Sequence, residues 1–116
     1  MLAKLNRFHG NQAVRRVYRY GEAVRGRVMS LHIYKGTGNQ RHLRAGVVVS
    51  RKVNKSAVVR NRIRRRVYEQ VRNKLPEVKV QADLLFTVYQ TEAASMPADQ
   101  LASEVERLLK QAHILG

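Results

Sequence analysis

The chain has 116 residues, enough for one domain with a buried core. Its 23 Lys and Arg against 8 Asp and Glu give a net charge of +15, which calls for a polyanionic partner such as nucleic acid or an anionic membrane surface. The absence of cysteine excludes disulfides and thiolate metal sites, and no apolar run is long enough to span a membrane.

The N-terminal MLAKLNRFHGNQ lacks the apolar stretch of a secretory signal, so a cytoplasmic protein is expected. QAVRRVYRY at 12–20 predicts a short helix with Val14 and Tyr18 on one face and Val17 beside them, stopped at Gly21. RVMSLHIYK at 27–35 alternates as a half-buried strand does. Met29, Leu31 and Ile33 point one way, and Val28, Ser30, His32 and Tyr34 the other. GTGNQ at 36–40 reads as a turn. LRAGVVVS at 43–50 is a nearly continuous apolar strand of the central kind. RKVNK then leads into a helix, with a short strand piece expected around Val53.

The helix over 56–73 starts at Ser56 as N-cap and is limited by Pro76. Val59, Ile63, Val67 and Val71 form its apolar stripe. DLLFTVY at 83–89 reads as a strand with Leu84, Phe86 and Val88 on one side. A second amphipathic helix covers 95–112, with Leu101, Val105, Leu108 and Ala112 as its stripe and Pro97 in its first turn. There is no repeat and no linker, so 1–116 reads as a single domain. The order α-β-β-(β)-α-β-α predicts an α/β (α+β) two-layer sandwich, with helices packed on a small central sheet.

The charge is not spread evenly. Between Glu22 and Glu69 there is no acid, while that interval holds thirteen Lys and Arg residues, among them Arg51, Lys52, Lys55, Arg60, Arg62, Arg64, Arg65 and Arg66. A merely soluble surface would mix the signs. With the stripe facing a sheet, Arg62 and Arg66 flank it on one side and Arg60 and Arg64 on the other, while Asn61 and Arg65 point away. Like charges three and four apart on a helix repel. A phosphate backbone would neutralise them, since the arginine fork suits phosphate and a helix N-terminus near Lys52 and Lys55 also favours an anion. The chain lacks helix-turn-helix spacing and the aromatic motif of an RRM. Val14 and Tyr18 of the first helix, with His32 and Tyr34 of the adjacent strand, fit two readings equally: they line a groove that suits unpaired nucleotides, or Tyr18 and Tyr34 sit at the edge of the core. His9, His32, His42 and His113 form no metal-ligand spacing, and no catalytic residue and no metal site are assigned.

VVRNRIRRRVYE at 58–69 resembles the RNR motif region of the bacterial ribonuclease P protein subunit. AVRRVYRYGEAVRGR at 13–27, RAGVVVSRKVNKSAVVRNR at 44–62, ADLLFTVYQ at 82–90 and the C-terminal helix extend the resemblance over almost the whole chain. The resemblance implies a left-handed βαβ crossover. Its implied partners are the ribonuclease P catalytic RNA, in a 1:1 complex with a monomeric protein, and precursor tRNA, with no membrane involved. It implies the activity of an endoribonuclease complex in which the RNA, with bound magnesium, performs the hydrolysis and the protein holds no cofactor. Carried over residue by residue, Arg51, Lys52, Lys55, Arg60, Asn61, Arg62, Arg65 and Arg66 become RNA-binding residues, with Arg64 added from the charge reading. Val14, Tyr18 and His32 become the groove for the 5′ leader. The family often has Phe at the position of Val14 and Tyr at that of His32, so leader contact here rests more on Tyr18 and on charge. The alternatives are a structural RNA-binding protein of ribosomal type, which needs no leader groove, and a protein-only nuclease, which needs a carboxylate or histidine cluster. A membrane-surface binder would need a free apolar helix face.

Overall fold

The computed structural model describes residues 11–35, 43–78 and 80–115. Helix α1 spans Asn11–Tyr20. Strands β1 (Glu22–Arg25), β2 (Met29–Tyr34) and β3 (Arg44–Val49) follow. Helix α2 is Ala57–Lys74, β4 is Asp83–Val88 and α3 is Ala98–Gln111. Short 3₁₀ turns cover Leu75–Glu77 and Thr91–Ala94. The turn expected at 36–40 lies outside the described residues, as do His9 and His42.

The four strands form one sheet in the order β1-β2-β4-β3. β1 and β4 run antiparallel to β2, and β3 runs parallel to β4. A parallel neighbour needs a crossover, and α2 supplies it. Thus β3-α2-β4 is a βαβ unit, and the described residues form three helices packed on a mixed four-stranded sheet. The apolar alternation sets the two faces. Met29, Leu31 and Ile33 pair with Val88, Phe86 and Leu84, and these join Ala45, Val47 and Val49 on the face covered by α2 and α3. Ile63, Val67 and Val71 of α2 and Leu101, Val105 and Leu108 of α3 enter the same core, so both predicted stripes bury as expected.

The opposite face carries Ser30, His32, Tyr34, Asp83, Leu85 and Thr87, whereas Val28, expected on this face, precedes β2 and is buried in the main core. Helix α1 rests there, outside the layer formed by α2 and α3. Val17 and Leu85 are both buried on this side, apart from the main core. The junction after α1 is tight. Gly21 donates its N–H to Val17 O at 2.9 Å, and a Cβ on it would meet Val17 O at 2.5 Å and Ile33 O at 2.6 Å. Backbone on both sides cannot yield, so only glycine lets α1 turn back onto the sheet.

Two elements depart from the sequence reading. The strand piece expected near Val53 is a turn, closed by Val53 N–H to Ser50 O at 3.1 Å. Strand β1 was not expected. EAVR has no apolar alternation and is largely exposed, and it becomes a strand because β2 offers it a ladder from Glu22↔Ile33 to Arg25↔Ser30. No helix among the described residues is long and apolar enough to cross a membrane.

Candidate nucleic-acid interface

The connection before α2 is held by its own polar side chains. Asn54 Oδ1 accepts the Ser56 N–H at 2.8 Å, and Ser56 Oγ accepts the Val59 N–H at 3.3 Å, which makes Ser56 the N-cap. Asn54 Nδ2 donates to Thr91 Oγ1 at 3.2 Å and ties the turn to the 3₁₀ segment after β4. Arg60 folds back over this turn and donates to the carbonyls of Asn54 and Lys55, each at 2.9 Å. Arg51, Lys52 and Lys55 are left exposed on a fixed loop.

Along α2 the arginines divide by what they touch. Arg66 is half-buried and donates to the carbonyls of Ala93, at 2.6 Å, and Met96, bracing α2 against the chain entering α3. Arg64 donates to Asn61 Oδ1. Arg62 and Arg65 are exposed and, with Arg66, Glu69, Gln70, Ala98 and Leu101, line an open cavity of about 390 Å³ between α2 and α3. The sequence reading treated these arginines as one set. The structure separates Arg60 and Arg66, whose guanidinium groups brace backbone, from Arg62 and Arg65, which face solvent.

The distribution of ion pairs sharpens the contrast. Among the described residues, acids pair with Arg27, Arg44, Arg72, Lys74, Arg107 and Lys110. None pairs with Arg51, Lys52, Lys55, Arg60, Arg62, Arg64, Arg65 or Arg66. The chain after α2 carries most of the acids and these ion pairs, whereas the α2 surface and its leading loop stay cationic. Such a surface raises the local concentration of phosphate and speeds association.

The predicted groove residues meet on the α1 face. Tyr18 and His32 stack edge to face with ring centroids 4.8 Å apart. The Tyr18 hydroxyl lies 2.7 Å from Thr87 Oγ1 and shares a hydrogen bond with it. Val14 is half-buried on the same helix. Tyr18 is nevertheless 43% exposed, so its ring is fixed at one end and open on a face. Thr87 was not singled out from sequence, although with Asp83 and Tyr89 it is a polar member of DLLFTVY on the side opposite Leu84, Phe86 and Val88. Arg15, Arg16 and Arg19 were also passed over. They are exposed on α1 and free of acid partners among the described residues, which makes the groove's helical wall cationic. Gly46 and Val48 of β3 pair with Leu85 and Thr87 and give that part of the face small side chains.

Burial holds the His32 imidazole below the 6.5 of a free ring. The ring is therefore neutral at pH 7 and offers a stacking face without a charge. Because the folded value is depressed, the stability tied to neutral His32 is fully present above pH 6.5 and is lost as pH falls through the lower folded value. An NMR titration of the His32 ring protons is expected to give a midpoint below 6.5, moving upward when a polyanion fills the groove. A midpoint above 6.5 in the free protein contradicts a desolvated ring.

Among the described residues no group of three or more His, Asp or Glu side chains gathers as a metal site. Fold and surface together define a small mixed-sheet α/β protein with an uncompensated cationic surface on α2 and an aromatic groove on the other side of its sheet.

Residues 2–113 match the family model described as Ribonuclease P. The chain is similar to a ribonuclease P protein component of Pseudanabaena, at 35% identity over 99% of this chain and 97% of that one. It is similar to one from Chloroflexus aggregans, at 35% over 98% of this chain and 82% of that one. One from Chloroflexus aurantiacus is 46% identical over 76 residues, which span 66% of this chain and 56% of that protein. Among solved structures, a Staphylococcus aureus RNase P protein superposes with a TM-score of 0.80 at 25% identity, covering 96% of this chain and 98% of that one. The Thermotoga maritima RNase P protein shares the fold, with a TM-score of 0.73 at 19% identity over 86% of this chain and 94% of that one. The chain belongs to the ribonuclease P protein family.

Proposed function

We propose that this protein is the RNA-binding subunit of ribonuclease P, a single domain that binds the catalytic RNA and the 5′ leader of precursor tRNA. The observation that carries the reading is the cationic surface of α2 and residues 51–55, left without acid partners in a chain of this family. In this reading Arg62 and Arg65, with Arg51, Lys52 and Lys55, contact phosphates of the catalytic RNA. Arg60 and Arg66 hold the turn and the helix in the geometry that presents them. The Tyr18–His32 pair, with Val14 beside it, receives unpaired leader nucleotides by stacking. Hydrolysis belongs to the RNA with its magnesium, and no residue of this chain acts as nucleophile or general base. The protein raises substrate affinity by adding leader contacts to those the RNA makes with the tRNA body. It acts in the cytoplasm as a monomer bound to one RNA, without a membrane.

The test is cleavage of precursor tRNA at low magnesium with this protein, a bacterial ribonuclease P RNA, or both. Rapid cleavage to the mature 5′ end only when both are present is the expected result. Cleavage by the protein alone would place an active site in the chain and overturn the assignment. No enhancement over the RNA alone would make it a binder of another RNA.

A further inference from the structure

Helix α1 carries a second cationic surface, turned away from the sheet. Val17 is fully buried and fixes which side of the helix faces the strands. At ~100° per residue, Arg15 and Arg19, two positions either side of Val17, both lie about 160° around the helix from it. Arg16 leaves on the flank opposite the one that bears Tyr18. All three are exposed, and with Tyr20 they line a surface hollow of about 240 Å³.

No acid offsets these charges. Residues 11–20 contain none, and the strands contain two. Glu22 pairs with Ile33 in the β1–β2 register, so it leaves the sheet on the α2/α3 face. Asp83 is buried and held by Arg44. Arg15 and Arg19 are four apart and Arg16 and Arg19 three apart, so they repel within a helix of 10 residues that already depends on its packing. The helix dipole favours Arg19 in the last turn but neither of the others.

The chemistry of the hollow suits phosphate. Its cations are all arginines, whose planar fork matches phosphate oxygens. It has no free ring for stacking a base. Tyr20 has the Arg19 Cζ 5.4 Å from its centroid and the Tyr34 ring centroid at 6.4 Å. It also lacks the apolar side chains that a membrane surface would take up, since Val17 is buried and Val14 half-buried. The hollow and the α2 surface lie on opposite faces of the sheet, in a body of 38 × 29 × 25 Å. One straight stretch of RNA cannot touch both, whereas a large folded RNA can. A leader lying against Tyr18 is separated from Arg16 by α1 itself.

We propose that Arg15, Arg16 and Arg19 dock a second segment of the catalytic RNA by its phosphates, so that the RNA holds the protein from both sides of its sheet. The proposal rests on the reading that the catalytic RNA is the partner, and adds to the α2 surface a contact that does not use the leader groove.

Assembly of the full-length protein with ribonuclease P RNA alone, measured by filter binding over a range of salt, tests this. The triple variant Arg15→Ala, Arg16→Ala, Arg19→Ala should bind at least ~10-fold more weakly at moderate salt, with a slope of log affinity against log salt flatter by roughly 2 to 3, from ~0.7–0.9 per lost phosphate contact. Its melting temperature should not fall, since the three side chains are exposed and alanine favours a helix. At saturating protein, the assembled variant should still prefer precursor tRNA with a leader over mature tRNA. If the Arg62/Arg65 double variant weakens assembly while the α1 triple variant changes neither affinity nor slope, the α1 surface is wrong and the proposed function stands. If neither variant weakens assembly, the catalytic RNA is not the partner and both readings fall. If assembly is unchanged but the preference for leader-bearing tRNA is lost, the arginines serve the leader groove and the proposal is overturned.

Discussion

Replacing Arg62 and Arg65 together by alanine is expected to reduce affinity for ribonuclease P RNA roughly 10- to 100-fold at moderate salt, without changing the melting temperature. Both side chains are exposed, and neither has an acid partner among the described residues. Exposed charge contacts contribute under ~1 kcal/mol, and desolvated charge-assisted hydrogen bonds about 1.5–3 kcal/mol. Two arginines between those limits give the stated range at ~1.4 kcal/mol per tenfold. The salt dependence is the sharper readout. Each lost phosphate contact flattens the slope of log affinity against log salt by about 0.7–0.9, so the double variant should lose roughly 1.4–1.8. The control is Arg66→Ala. Its guanidinium donates to the carbonyls of Ala93 and Met96, so its loss should lower the melting temperature. A slope that stays unchanged in the Arg62/Arg65 variant would remove α2 as the docking surface.

That division of labour among neighbouring arginines was not legible in the sequence, and the reason is physical. The α2 stripe is written locally, because a period of 3.6 places Ile63, Val67 and Val71 on one face whatever lies opposite. The acceptors of Arg66 lie 27 and 30 residues away, on carbonyls that carry no side-chain signature. The same holds for Tyr18 and Thr87, which are 69 residues apart. Alternation told which face of each strand is polar, and only the β2–β4 register brought Thr87 and His32 to the face that α1 covers. Glu104 shows the limit from the other side. It sits on a helix that reads as amphipathic with charges outward, yet it is buried and accepts the Val28 N–H at 2.9 Å. Its Oε1 would lie 2.6 Å from a Cβ at position 26, so Gly26 leaves the room that lets α3 hold the β1–β2 hairpin. The elements that position the site were therefore readable from periodicity. The polar contacts that orient its side chains were not, since they depend on tertiary pairing.

The largest stability effect is expected at Asp83, beside Tyr34 on the sheet face that α1 covers. Asp83 is fully buried, and its two oxygens accept from Arg44 Nε and a terminal guanidinium nitrogen, each at 2.7 Å. The pair spans β3 and β4 at their first matched position, and Asp83 stands opposite Tyr34 of β2 in the strand register. Desolvating two charges offsets much of their attraction, and the net worth of the intact pair is small. Losing one partner is different. Asp83→Asn keeps the shape but leaves the Arg44 charge, 25% exposed, without its carboxylate. A destabilisation of about 2–4 kcal/mol is expected, a little below the usual cost of breaking a fully buried pair because Arg44 reaches water. Urea denaturation measures it, with an unchanged m-value showing that the native fold is kept. The paired replacement Arg44→Met with Asp83→Leu should recover most of the loss, since neither member of the pair is then left buried without the other. Oligonucleotide affinity in that double variant then separates two roles. Binding that recovers along with stability makes the pair a clamp that fixes β2 and Tyr34 in place. Binding that stays weak in a restored fold makes the Arg44 charge itself part of the groove, continuing the cationic wall of Arg15, Arg16 and Arg19 across the sheet.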